Sequence, residues 1–153
     1  MKKMRGLYIV EFAIVGSLLM VLLFGCLEFG RITYAMAALN EGTRRAARLA
    51  AVCPINDGVI APAVNFAGLV GFNATVGGNV NLQYLDVTGT SLGNAPAAGL
   101  VKYVQVGVTG YNIPLNIPGL NITITAPSFT VTLPAESLGL VRDPVLGGVV
   151  TPC

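Results

Sequence analysis

The chain has 153 residues, of which 54% are hydrophobic and only 10% charged. An average soluble domain carries about 25% charged residues, so this chain is too apolar for an ordinary water-facing globule. Its net charge is +2, with Lys2, Lys3 and Arg5 clustered ahead of Leu7. The remainder is near neutral and leaves no broad basic patch for nucleic acid. His is absent, which removes the commonest general base and metal ligand.

The excess of apolar residues is concentrated at the start. After the basic head, residues 7–27 are apolar apart from Glu11, and no Pro occurs before Pro54. This pattern predicts one helix over Leu7–Val52, about 69 Å long at 1.5 Å per residue. Its first half has the roughly 20 apolar residues that span a bilayer. A cleaved secretory signal would need a small-x-small site soon after the apolar core. Ala35-Met36-Ala37 has those letters but lies inside the unbroken helix. A plain anchor accounts for the head and the length, but not for Glu11. A carboxylate at mid-bilayer costs about 2.5–3.5 kcal/mol, and less near the interface. Glu11 is therefore a candidate functional residue, the plainer alternative being a side chain that snorkels to the headgroups. A cut after Gly6 would give Leu7 a free ammonium and make Glu11 the fifth residue. The ammonium of a neighbouring subunit is then a natural partner for the carboxylate. Ala13, Gly16, Ser17 and Gly25 are small enough to let membrane helices approach closely, or are simply lipid-facing. Cys26 reads as a small core residue.

Past Leu27 the helix becomes polar and rich in Ala, a strong helix former. Glu28 and Arg31, and Glu41 with Arg44 and Arg45, stand at ion-pair spacing on one face, each pair worth a few tenths of a kcal/mol. Arg44, Arg45 and Arg48 read as a solvated helix end near the favourable C-terminal dipole, with a docking or lipid-phosphate surface as the alternative. Charge alone leaves the membrane orientation open, because basic residues flank the apolar segment on both sides.

Residues 53–153 form the second part. Pro54 ends the helix, Asn56-Asp57-Gly58 is a turn, and Asp57 is placed to cap a short helix over Pro62–Val70. Gly71–Asn79 reads as loop. Val80, Leu82 and Tyr84 alternate with polar residues, the mark of a half-buried strand. Thr88–Leu100 is loop, and Val101–Tyr111 a second strand with Val104, Val106 and Val108 on one face. Asn112–Gly119, with two prolines, reads as turn or loop. Asn121–Thr125 and Phe129–Leu133 alternate cleanly around Pro127, as one bulged edge strand or two short ones. The tail from Arg142 to Cys153 reads as irregular. The fold class expected is α+β, a long helix followed by a small, mostly antiparallel β-rich domain. Cys53 and Cys153 fall on the same side of the apolar segment, the non-cytoplasmic side, where disulfides persist. A bridge between them would close a loop of about 100 residues, nominally worth 4–5 kcal/mol; two free thiols are the alternative.

No catalytic set emerges. Asp86-Val87-Thr88-Gly89-Thr90 lacks the Lys of the phosphorylated-aspartate signature and reads as a strand end. Asn73-Ala74-Thr75 and Asn121-Ile122-Thr123 are glycosylation-like triplets that occur often by chance. Asp57, Asp86, Glu136 and Asp143 are too scattered to nominate an acid–base pair. The expectation is a non-enzyme with no cofactor and no metal.

Gly6 followed by Leu7-Tyr8-Ile9-Val10-Glu11 matches the prepilin-peptidase site of type IV-like pilins. Together with Phe12-Ala13, Leu23-Phe24-Gly25, Glu28-Phe29-Gly30-Arg31 and the run Asn40–Arg48, it resembles the TadE-like minor pilins, or pseudopilins, of the tight-adherence pilus. Ser17 departs from the pattern, since many members carry Pro there. The resemblance implies a basic leader (residues 1–6) removed between Gly6 and Leu7. It further implies a membrane and assembly helix (7–27) in which Glu11 serves processing or assembly, a stalk outside the cytoplasm (28–52) and an outward-facing domain (53–153). The implied partners are a prepilin peptidase, other pilin subunits, inner-membrane assembly machinery and the bilayer. The implied location is the bacterial inner membrane or an extracellular pilus. The competing class is an unprocessed single-pass anchor that displays a small β-rich binding or adhesion domain.

Overall fold

The computed structural model describes residues 5–93, 96–117, 120–143 and 147–153. The basic residues Lys2 and Lys3 lie outside the described residues. So do Asn94 and Ala95 of the expected 88–100 loop, and Pro118 and Gly119 of the expected 112–119 turn.

Helix α1 runs without interruption over Arg5–Val52. Hydroxyl side chains along it are satisfied locally: Ser17 Oγ donates to the Ile14 carbonyl at 2.9 Å and the buried Thr43 Oγ1 to Leu39 O at 2.7 Å. Such back-bonding lets hydroxyls sit within a helix without competing for its backbone. Pro54 stops the helix as expected. The last carbonyls, which have no partner inside a helix, are met by a distant segment. Glu136 N–H donates to Ala51 O at 2.9 Å, and Ser137 Oγ to Val52 O at 3.0 Å.

The two halves of α1 differ sharply. Residues 7–27 are exposed almost throughout. From Glu28 onward, Ala35, Ala38, Leu39, Ala46, Ala47, Ala50 and Ala51 are buried. Their spacing of three and four is one helix face. The segment expected as a stalk is thus also a wall of the folded unit. Small side chains along this face bring the rest of the chain close, most tightly at Gly42, where the 3-10 turn Pro62–Asn65 crosses.

Against that face packs an antiparallel sheet of β1 (Val80–Leu85), β2 (Tyr103–Val108) and β5 (Phe129–Pro134), in the order β1-β2-β5. Leu82 pairs with Val106, which pairs with Val131. The period of two sends Val80, Leu82, Tyr84, Val104, Val106 and Val108 inward, all buried, and leaves Asn81, Gln83, Gln105 and Thr132 to the other face. Two hairpins complete the fold, β3 (Asn112–Ile117) with β4 (Leu120–Thr125), and β6 (Leu140–Asp143) with β7 (Gly147–Val150). The α+β class expected from sequence is the one observed.

Several local expectations are corrected. The helix expected over Pro62–Val70 is only the 3-10 turn Pro62–Asn65. Asp57 does not cap it; its Oδ1 instead accepts from Val59 N–H at 3.1 Å inside the preceding turn. Asn112–Ile117, expected as turn or loop, is strand β3. Pro114 is tolerated there because β3 is an edge strand, where a missing N–H need not break a ladder. Of the two alternatives for the segments flanking Pro127, the second holds: they are two short strands, and they lie in different sheets. The tail from Arg142 to Cys153, expected as irregular, holds the end of β6 and all of β7, with residues 144–146 outside the described residues.

Candidate assembly site and its junction with the β-rich domain

Gly6, Leu7 and Glu11 all lie in the first two turns of α1, on a surface that none of the described residues outside α1 covers. A side chain at Gly6 would meet no atom within 4 Å. Leu7 is 66% exposed, and Tyr8, Val10 and Phe12 are likewise open. Glu11 lies beside Tyr8, Phe12 and Val15, and among the described residues it forms no ion pair. It is thus a lone carboxylate on an otherwise apolar exterior, one helical turn from Leu7. That arrangement offers no chemistry to a substrate. It offers an acceptor to a cation that arrives from outside the chain.

Cys26, read from sequence as a core residue, is instead a free and exposed thiol. The reason is that none of the described residues forms a second layer over this half of the helix.

At Glu28 the helix meets the folded unit. Arg31 Nη2 and Nε reach Glu28 Oε2 at 3.0 and 3.2 Å. Sequence spacing foresaw this pair as a helix-surface contact. In the fold it also clamps β3: Glu28 Oε1 accepts from Asn116 N–H at 3.3 Å, and Arg31 Nη2 donates to the Pro114 carbonyl. Glu28 is only 9% exposed. The missed signal was Asn112–Ile117 itself, whose alternation of Ile113, Leu115 and Ile117 marks a strand despite Pro114.

Further along, Arg45 Nε is 2.9 Å from Glu41 Oε1, and its guanidinium lies 4.1 Å from the centre of the Phe66 ring. The hydrogen bond from Arg45 holds the Glu41 carboxyl below its usual range. The helix-dipole reading of the arginines fails, because no basic residue lies in the last turn of α1. Cys53 is bonded to Cys153, with Cα atoms 5.6 Å apart. The bridge ties the end of the helix to the end of the chain. Among the described residues no group of acidic and sulfur ligands converges as a metal would require.

Residues 6–48 match the family model described as TadE-like protein. This segment of the chain is TadE-like. No curated protein and no solved structure matches the chain. The TadE-like match begins at Gly6 and ends at Arg48, so it covers the exposed half of α1 and most of the buried half. The β-rich domain lies beyond it. The exposed half is long and apolar enough to cross a membrane, and no part of its most apolar window is buried. A TadE-like segment on a helix long and apolar enough to cross a membrane supports a membrane-anchored, Tad-associated protein.

Proposed function

We propose that this chain is the precursor of a TadE-like minor pilin, or pseudopilin, cut between Gly6 and Leu7 by a prepilin peptidase, that primes or joins assembly of a Tad-type adhesion pilus. The observation that carries the reading is Glu11: a lone carboxylate on an exposed apolar helix, one turn beyond Leu7, within the TadE-like segment. Cleavage would create an ammonium on Leu7. In a bundle of such helices that ammonium and the Glu11 of a neighbouring subunit neutralise each other, which removes the cost of a buried carboxylate. Gly6 suits the cut. It has no side chain to obstruct the peptidase, and Gly weakens a helix by about 1 kcal/mol relative to Ala, so the first turn unwinds readily.

The helices would pack through van der Waals contact and polar pairing in lipid. Apolar burial then takes over once they leave the bilayer. The β-rich domain would face outward from the inner membrane, and the Cys53–Cys153 bridge supports a non-cytoplasmic compartment. The role is structural rather than enzymatic.

N-terminal sequencing of the protein expressed with a prepilin peptidase tests this reading. A mature chain beginning at Leu7 is expected, with Gly6→Leu accumulating uncut. A mature chain that keeps Met1, or begins at Ala38, overturns it. Glu11→Gln is expected to lower incorporation into filaments while leaving the chain in the membrane fraction.

A further inference from the structure

Among the described residues, strand β3 meets α1 at Glu28 and Arg31, next to its exposed half. Its course is fixed by two contacts: the Pro114 carbonyl meets Arg31, and the Asn116 N–H meets Glu28 at 3.3 Å. Going from residue 114 to 116 therefore means going down the helix from 31 to 28. Glu28 is the first residue past the apolar run 7–27. With about 20 residues spanning the hydrocarbon, Glu28 stands at its edge.

The composition of the hairpin fits that level. Residues 112–125, NIPLNIPGLNITIT, contain no charged side chain. Ile113 pairs with Ile124 and Leu115 with Ile122, and directly opposed residues share a face. Down that face the protein cover thins. Ile113 is 2% exposed against the core, whereas Ile122 is 46% exposed. Ile122 lies opposite Leu115, one residue from Asn116, so it stands about 3.4 Å above the level of Glu28. The headgroup layer is about 5–7 Å deep on each side of the hydrocarbon. Phe29, 69% exposed, sits at the same height on the helix, where aromatic side chains favour the interface.

We propose that the β3–β4 pair around Leu115 and Ile122 enters the lipid headgroup layer beside α1, a second bilayer contact for the chain. It rests on the reading of residues 7–27 as the membrane anchor. With the helix and the hairpin both engaged, and Glu28 and Arg31 joining them, the folded unit is held at a fixed tilt to the membrane.

The chain has no Trp, so single tryptophans report depth without interference. Full-length Ile122→Trp would be reconstituted in mixed phosphatidylcholine and phosphatidylglycerol vesicles, with acyl-brominated lipid and aqueous iodide as opposing quenchers. Phe24→Trp controls for the anchor. Val87→Trp controls for the distal end, since β1 and β2 lead there to Lys102, whose carbonyl accepts from Ala135 N–H one residue from the contact between Glu136 and Ala51. Quenching of Ile122→Trp by brominated lipid, with iodide quenching several-fold weaker than for Val87→Trp, is the expected result. Iodide quenching equal to that of Val87→Trp overturns the proposal. Shielding from iodide without bromine quenching also overturns it and assigns the surface to protein, a second copy included. Should Phe24→Trp escape bromine quenching, the anchor reading fails, and the hairpin proposal with it. Thr123→Trp, on the exposed polar face of the same strand, gives the same depth should Ile122→Trp fold poorly.

Discussion

A methyl group placed on Gly42 would lie 2.0 Å from the carbonyl oxygen of Val64. That contact sets how closely the 3-10 turn Pro62–Asn65 approaches α1, and both partners are backbone or nearly so. No rotamer change can relieve it. Overpacking typically costs 1–3 kcal/mol, and Gly→Ala in a helix returns about 1 kcal/mol. With a gap this short the cost falls at the upper end, so Gly42→Ala is expected to destabilise by about 2 kcal/mol. Gly30→Ala is the control, because nothing lies within 4 Å of its added carbon; it should be neutral or slightly stabilising. Thermal unfolding of the two variants in the same detergent checks the contrast, and equal midpoints would refute the packing argument.

The Glu28–Arg31 pair makes a prediction about the hairpin rather than about the helix. Arg31→Ala removes the donor to the Pro114 carbonyl and leaves the carboxylate of the largely buried Glu28 without its cation. Losing a hydrogen bond to a charged group costs about 1.5–3 kcal/mol. The Arg31 side chain is 39% exposed, so solvent screening brings the expected loss to about 1–2 kcal/mol. The signature is local: amide exchange should accelerate in β3 and β4 and stay unchanged in β1 and β2. Uniform acceleration would mean that the pair stabilises the fold as a whole.

These two sites show what was legible in the chain and what was not. The long helix was legible because Pro is absent before Pro54 and the residues between are apolar or Ala. Strands β1 and β2 were legible because Val80, Leu82, Tyr84, Val104, Val106 and Val108 alternate with the residues between them. Glu11 stood out because it is the one charge in an apolar run. What stayed hidden is tertiary. Nothing local to Pro114 says that an edge strand exists to tolerate it, nor that its carbonyl meets Arg31 far back in the chain. Gly42 reads as an ordinary helix-weakening glycine until Val64 is seen upon it. The helix end at Val52 is closed by Glu136 and Ser137, which no capping rule read from neighbouring residues would supply.

The Cys53–Cys153 bridge closes a loop with a sequence separation of 100. In the chain-entropy model a loop of that size contributes about 4.7 kcal/mol. Cys153→Ser should lower the unfolding midpoint in denaturant, with a loss of about 2–5 kcal/mol, the range for removal of a native disulfide. Adding reductant to the native chain should give the same shift and should have no further effect on the variant. Cys26→Ser, at an exposed free thiol, should change neither. A shift confined to Cys26→Ser would contradict the assignment of the structural cysteines.

The turn after β1 predicts a pH response. Asp86 Oδ1 accepts from the Thr88 hydroxyl at 2.6 Å, from Thr88 N–H at 2.8 Å and from Thr90 N–H at 2.9 Å. These bonds, that of the Thr88 hydroxyl foremost, hold its carboxyl below the ordinary value of 3.8. A depressed folded-state pKa contributes stability that is present above the unfolded value and lost as pH falls through the folded one. The turn should therefore stay intact through mildly acidic pH and loosen only at still lower pH. Amide shifts of Thr88 and Thr90, followed by NMR on acidification, should titrate with a midpoint below 3.8. Asp86→Asn keeps one acceptor oxygen but cannot ionise, so in that variant both shifts should be flat across the same range. A midpoint at or above the ordinary value would show that the Asp86 hydrogen bonds do not form in solution.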